Sequence, residues 1–280
     1  MTPAPLLEVS GLTLRFGAIT AFEGVSFDVV RGELFAVIGP NGAGKSSLFN
    51  ALSRVYEPGA GSVRLDGRDF LRLRRDRLAA MGVARSFQNL GIFPHLTALE
   101  NVLVGRHHLM RSGVVRGGLG LAGREERHHR AAALDALAFV GLDGHAGTEV
   151  RLMPYGHRKR VELARCLAME PRLMLLDEPV AGMNAAERAE ATRLVQRLRD
   201  ERELTVVLVE HDMGMVMEVA DRILVLDFGV PIAIGTPAEI QGDERVIRAY
   251  LGEEPRSRPA GRRPIPSSRG AGCPAEVTPA

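Results

Sequence analysis

The sequence predicts an α/β fold: a parallel sheet between helical layers, entered through an antiparallel β segment and interrupted by a helical insertion. Three observations carry this expectation. Residues 34–38 form an uninterrupted apolar run bounded by glycines, the mark of a strand buried on both faces. Similar runs recur at 173–176, 205–209 and 223–226, with helical patterns between them such as 185–201. From 99 to about 168, by contrast, only helical patterns are found. With 280 residues and 30.3 kDa the chain is one large domain, or one domain with a small subdomain.

In chain order, Leu12, Leu14 and Phe16 alternate with other residues, as do Val25, Phe27 and Val29, which predicts two half-buried antiparallel strands. The buried run at 34–38 leads through a glycine-rich stretch into a helix at 45–53. The insertion holds helices at roughly 99–109, 125–140 and 154–168, and a Gly- and Arg-rich break at 111–123 separates the first two. Residues 243–251 form a short amphipathic helix before the tail. That tail carries five arginines and one acid from Pro255 onward, so it holds +4 of charge and leaves the body at −2 within a net +2. Six prolines and three glycines in the same stretch predict disorder over 253–280.

Several function classes are excluded at this level. The longest apolar stretches are five or six residues, whereas a membrane-spanning helix needs about 20. The N-terminus lacks the pattern of a secretory signal, and two cysteines make neither a disulfide framework nor a zinc site, so a reducing cytoplasm is expected. An acidic body gives no nucleic-acid footprint. Arginines 72, 74, 75 and 77, and the pairs His107–His108 and His128–His129, read as solvated faces; Cys166 reads as a small core residue.

The chemistry begins at residues 39–46. Gly39, Pro40, Asn41, Gly42, Ala43, Gly44, Lys45 and Ser46 match the phosphate-loop pattern G-x-x-x-x-G-K-[ST], directly after a buried strand and before a helix. The glycines let successive backbone N–H groups turn toward phosphate oxygens, and the helix N-terminus adds its positive end. Lys45 is placed to reach the β- and γ-phosphates, and the Ser46 hydroxyl to bind Mg²⁺. A second apolar run ends in Asp177 and Glu178, at the strand end where α/β sheets hold ligands. Asp177 then faces Mg²⁺, directly or through water, and Glu178 polarises an attacking water. A third run, 207–209, leads through Glu210 to His211, a candidate γ-phosphate contact.

The ordered series of residues 39–46, Gln88, 153–157, 173–178, 181–184 and His211 resembles the ABC-type ATPases, matching in order their Walker A, Q-loop, signature, Walker B, D-loop and H-loop. The resemblance implies a P-loop NTPase (RecA-like) core with an N-terminal antiparallel β subdomain and an inserted helical signature subdomain. It places an ATPase domain at 6–252 and the helical subdomain at about 89–168. It further implies ATP and Mg²⁺ as ligands, held by the loop through Ser47, with Gln88 joining Ser46 and Asp177 at the metal. Two ATPs would lie in a head-to-tail dimer, each between one subunit's phosphate loop and the backbone of Tyr155 and Gly156 in the other. Phe16, 23 residues before Gly39, corresponds to the aromatic that stacks on adenine. The signature departs from LSGGQ, with Pro154 for serine, Tyr155 for the first glycine and His157 for glutamine.

The Tyr-Gly signature, Glu210-His-Asp-Met213 and the ending at 246–252 are most similar to the ATPases of branched-chain amino-acid importers. The lipopolysaccharide-export ATPase shares part of this pattern, and ABC ATPases acting on nucleic acid or the ribosome are the remote alternative. The importer resemblance implies two integral membrane permease subunits, a periplasmic solute-binding protein and a homodimer or heterodimer with a homologous ATPase subunit. It puts the chain at the cytoplasmic face of the inner membrane as a peripheral subunit, with no nucleic acid. The 90–97 stretch beside Gln88 is the expected groove for a permease helix.

Overall fold

The computed structural model describes residues 4–86, 91–110 and 122–251. Gln88, Leu90, the break at 111–121 and the tail from 252 lie outside the described residues. Strands β1 (Pro5–Phe16) and β2 (Ile19–Val30) pair antiparallel, and β1 pairs on its other edge with β4 (Ala60–Leu65), which continues to β5 (Arg68–Asp69). The larger sheet has the order β10-β9-β3-β8-β7-β6, from β3 (Leu34–Ile38), β6 (Val83–Arg85), β7 (Leu173–Asp177), β8 (Thr205–Val209), β9 (Arg222–Asp227) and β10 (Val230–Gly235). Its ladders are parallel except at β9 and β10, which pair antiparallel at one edge.

Each side of this sheet faces its own apolar core, which is why β3, β7 and β8 are apolar at successive positions. Phe35, Val37, Val207, Val209 and Leu224 point to the side covered by helix α1 (Lys45–Leu52) and the antiparallel sheet. There the Phe27 and Phe35 rings stack with centroids 5.0 Å apart, joining the two sheets. Leu34, Ala36, Val206, Leu208 and Ile223 point to the opposite side, under helices α5 (Ala185–Arg202) and α6 (Met213–Val219) and the helical insertion. Helices α7 (Pro237–Gly242) and α8 (Glu244–Leu251) follow the edge strand.

Among the described residues the insertion holds α2 (Ala98–Gly105), α3 (Ala122–Phe139) and α4 (Tyr155–Ala168). The first ends earlier than its apolar pattern suggests, because residues 106–109 tighten into a 3₁₀ turn. One reading of the sequence is corrected here. His129 is buried, not solvated: its Nδ1 accepts a 2.9 Å hydrogen bond from Arg106 Nε. Arg106 is itself 1% exposed and also donates to the Ala168 carbonyl (2.8 Å) and to Glu170 (2.9 Å), tying the C-terminal ends of α2 and α4 to the middle of α3. Burial, with the neighbouring positive charge, pushes the His129 pKa below its ordinary value and keeps the ring neutral.

Candidate nucleotide site

The phosphate loop leaves β3 through contacts between backbones. A Cβ on Gly39 would run into the Leu226 carbonyl oxygen of β9, and at Gly44, with φ of +94°, it would lie 2.5 Å from the Ala21 carbonyl oxygen. Only glycine fits either place. The Gly229 N–H, in the β9–β10 turn, donates to the Ala43 carbonyl (3.1 Å), so the loop is held from two sides. Gly44 is the N-cap of α1 and supplies no side-chain cap, so the first N–H groups of this helix are open to an anion. Lys45 is buried at 8% exposure, and its Nζ donates to the carbonyls of Gly39 (2.7 Å) and Pro40 (2.9 Å). Burial pushes its pKa down, partly opposed by the charge of Glu178.

Asp177 ends β7 beside this loop. Its Oδ2 accepts from Arg85 Nη2 of β6 at 2.9 Å, and its N–H donates to Ser86 Oγ at 3.1 Å. Its Oδ1 is buried with no hydrogen-bond partner among the described residues. Burial raises the Asp177 pKa, and Arg85 opposes the rise. Arg85 also donates to Asn50 Oδ1 (2.9 Å) and to Ser53 Oγ, so one guanidinium joins the Walker B strand to the helix that follows the phosphate loop. An oxygen acceptor oriented by an arginine but otherwise unmet fits a divalent cation, and with the exposed Ser46 it supplies a hard-oxygen donor set.

Glu178 follows in a left-handed conformation, φ +47°, with its N–H donated to the Val209 carbonyl at 2.9 Å. Its Oε1 lies 3.9 Å from Nδ1 of His211, whose ring is more than half exposed just past the end of β8. The neighbouring Glu210 is fully buried. Its Oε1 accepts from the Val180 N–H (3.1 Å), and its Oε2 from the N–H groups of His211 (3.1 Å) and Asp212 (3.4 Å). Lys45, Asp177, Glu178 and His211 thus converge at the carboxyl ends of β3, β7 and β8, as the motifs predict.

Tyr155 and Gly156 stand apart from that cluster. The signature helix α4 starts after Pro154, which is its N-cap rather than a residue of its first turn, and again no side chain caps it. The helices with caps make the contrast: Thr97 on α2, Asn184 on α5, Asp212 on α6 and Thr236 on α7 each accept a first-turn N–H. A Cβ on Gly182 would lie 3.3 Å from the Tyr155 ring, and one on Gly156 would lie 2.9 Å from Glu187 Oε1, so this end of α4 rests on the D-loop and α5. His157, in the position of the usual glutamine, has its Nδ1 buried without a hydrogen-bond partner among the described residues. Its ring meets His145 edge to face at 5.1 Å, and burial lowers its pKa.

Phe16 breaks the alternation of its strand. Leu12 and Leu14 are in the core, but Phe16 is 45% exposed and held edge-on by Tyr56 at 5.0 Å. Gln88 lies outside the described residues. Three contributors escaped the sequence reading: Arg85, Glu210 and Tyr56. An arginine on a short strand and a tyrosine in a turn carry no motif of their own, and Glu210, though part of the importer-like 210–213 stretch, has no role marked by it.

Loop, acids and histidine on this sheet define a P-loop nucleotide hydrolase of the ATP-binding-cassette class. A family model described as ABC transporter matches residues 22–181, and one for the branched-chain amino acid ATP-binding cassette transporters matches residues 230–255. The chain belongs to the ABC transporter family, as an ATP-hydrolysing subunit. It is 42% identical over 251 residues to the high-affinity branched-chain amino acid transport ATP-binding protein BraF of Pseudomonas aeruginosa, covering 89% of this chain and 98% of that one. It is 40% identical over 253 residues to the corresponding LivG of Escherichia coli K12, with the same coverage. Among solved structures it resembles a nucleotide-free ATP-binding cassette (26% identity, TM-score 0.78, 89% of this chain and 100% of that one). A dimeric bacterial ABC transporter cassette matches with 27% identity and a TM-score of 0.70, over 82% and 98% of the two chains.

Proposed function

We propose that this chain hydrolyses ATP to drive uptake of branched-chain amino acids through a pair of membrane permeases. Support for the solute comes from relatives of nearly equal length and from the C-terminal match. The observation that carries the mechanism is the pair of uncapped helix N-termini on α1 and α4. Since α4 rests on the D-loop and not on its own phosphate loop, its free N–H groups serve the nucleotide of a second ATPase subunit. ATP then sits between the phosphate loop of one subunit and Tyr155 and Gly156 of the other, with Phe16 against the base.

Within each site Lys45 and the loop N–H groups hold the β- and γ-phosphates. Glu178 takes the proton of the attacking water, and His211 steadies the γ-phosphate. Ser46 and Asp177 would hold Mg²⁺, which when bound neutralises charge on the phosphate oxygens. Gln88, outside the described residues, stays assigned to the metal and to sensing the permease. None of the described helices is long and apolar enough to cross a membrane, so transport requires docking. The docking face is the apolar surface of Phe93, Leu96, Leu103 and Val104. Asn101 fixes it by accepting from the Phe93 N–H (2.8 Å) and donating to the carbonyls of Phe93 (2.9 Å) and Thr97 (3.0 Å).

Replacing Glu178 with Gln tests the catalytic assignment. Turnover should fall by at least about 100-fold while Mg-ATP still binds, and an ATP-loaded dimer should accumulate on gel filtration. Phosphate release at the wild-type rate would remove Glu178 from the role of base.

A further inference from the structure

We infer that Glu210 is a positioning residue that locks the segment after β7 to the segment after β8, so that the D-loop and the Glu178–His211 pair move as one body. The proposal rests on Glu178 and His211 being the catalytic pair.

Glu210 is a fully buried carboxylate whose hydrogen bonds are all to backbone N–H groups, three of them drawn from two loops. A buried carboxylate is costly unless its lone pairs are met, and three converging donors call for a side chain that only accepts. An amide cannot substitute, because its NH₂ would face an N–H of one loop or the other. Through Oε1 the group holds Val180, two residues past Glu178 and next to the D-loop; through Oε2 it holds the backbone of His211 itself.

Two further links run the same way. The Glu178 N–H donates to the Val209 carbonyl, and Arg188, in the first turn of α5 beyond the D-loop, pairs with Asp212 at 2.6 Å. Asp212 in turn caps α6 through the Met215 N–H at 3.0 Å. His211 Nδ1 stands 3.9 Å from both Glu178 Oε1 and Glu210 Oε2, so a shift of either loop changes the catalytic spacing directly. A contact made by a second subunit at the D-loop is therefore felt at His211 through Glu210. The left-handed backbone of Glu178, unfavourable for a residue with a Cβ, is held in place by the same bonds.

The test compares Glu210→Gln with wild type as full-length chains. Turnover should fall about 10- to 100-fold with ATP affinity within about twofold, because the reacting groups lose register while the phosphate loop is untouched. Amide exchange at 179–184 and 210–213 should rise together. Wild-type kcat, or equal losses of kcat and ATP affinity, would overturn the proposal. If Glu210→Gln does not accumulate folded, Arg188→Ala cuts the exposed link instead, and should slow turnover about two- to fivefold at unchanged ATP affinity; unchanged kcat there would overturn it equally. Glu178→Gln run alongside separates the two claims, since its full activity would sink the catalytic assignment, whereas its inactivity beside a fully active Glu210→Gln would sink only the lock.

Discussion

The phosphate loop and the helical insertion each present a bare helix N-terminus, yet they hold it by different means. Around α1 the work is done by backbone: Gly39 beneath the Leu226 carbonyl, Gly44 against the Ala21 carbonyl, and Gly229 bonded to Ala43. In the insertion the structure depends on buried polar side chains, Arg106 joining the ends of α2 and α4 to His129 in the middle of α3 and Asn101 fixing the 93–97 segment. Backbone-held geometry leaves little room for sequence change at a few glycines. Side-chain-held geometry leaves its mark at scattered positions that resemble ordinary surface residues.

Lys45→Ala should break the first region most severely. It removes the cation that reaches two phosphates and should weaken Mg-ATP binding about 1000-fold, roughly 4 kcal/mol, by equilibrium titration. The fold should remain, since the lysine bonds only to carbonyls of its own loop. Arg106→Leu should do the reverse. It strands the buried Ala168 carbonyl and His129 Nδ1, at a cost of about 2–4 kcal/mol in thermal or denaturant unfolding, while the phosphate loop keeps its nucleotide. If ATP affinity fell as far as stability, the two regions would not be separable in this way.

Phe93→Asp should sharpen the comparison from the outside. Charge on the docking face should lower coupled transport about tenfold in reconstituted vesicles and leave basal hydrolysis within about twofold. The smallest effect is expected from acid. The folded pKa of His129 lies below its unfolded value, so the stability it contributes is full above the ordinary histidine value of 6.5 and declines as pH falls through it. Protection factors of the α2 and α3 amides, observed exchange corrected for the slower intrinsic rate in acid, should therefore fall between pH 7.5 and about 5.5, more than in β3. His129→Gln should flatten that difference.

The same contrast explains what was legible in the sequence. Strands β3 and β8 fall on the residues their apolar runs mark, because burial on both faces leaves no polar position to blur the pattern. Glycines and acids at the strand ends announced the nucleotide chemistry. Strands β4, β5, β6 and β10 went unread. The first opens with Ala60-Gly61-Ser62, β5 and β6 are two and three residues long, and β10 contains Pro231, which an edge strand tolerates. Arg106 in a helical pattern reads as a solvated charge until the fold wraps it, and Glu210 reads as a strand-end acid until three N–H groups are found pointing at it.

The absent caps on α1 and α4 have one more consequence under the proposed reading. A single terminal phosphate would bridge two helices belonging to different molecules, and its departure bares α4 while the β-phosphate left behind still meets the amides of α1. Water is then the only acceptor left for the α4 amides, and its entry between the subunits is what parts them.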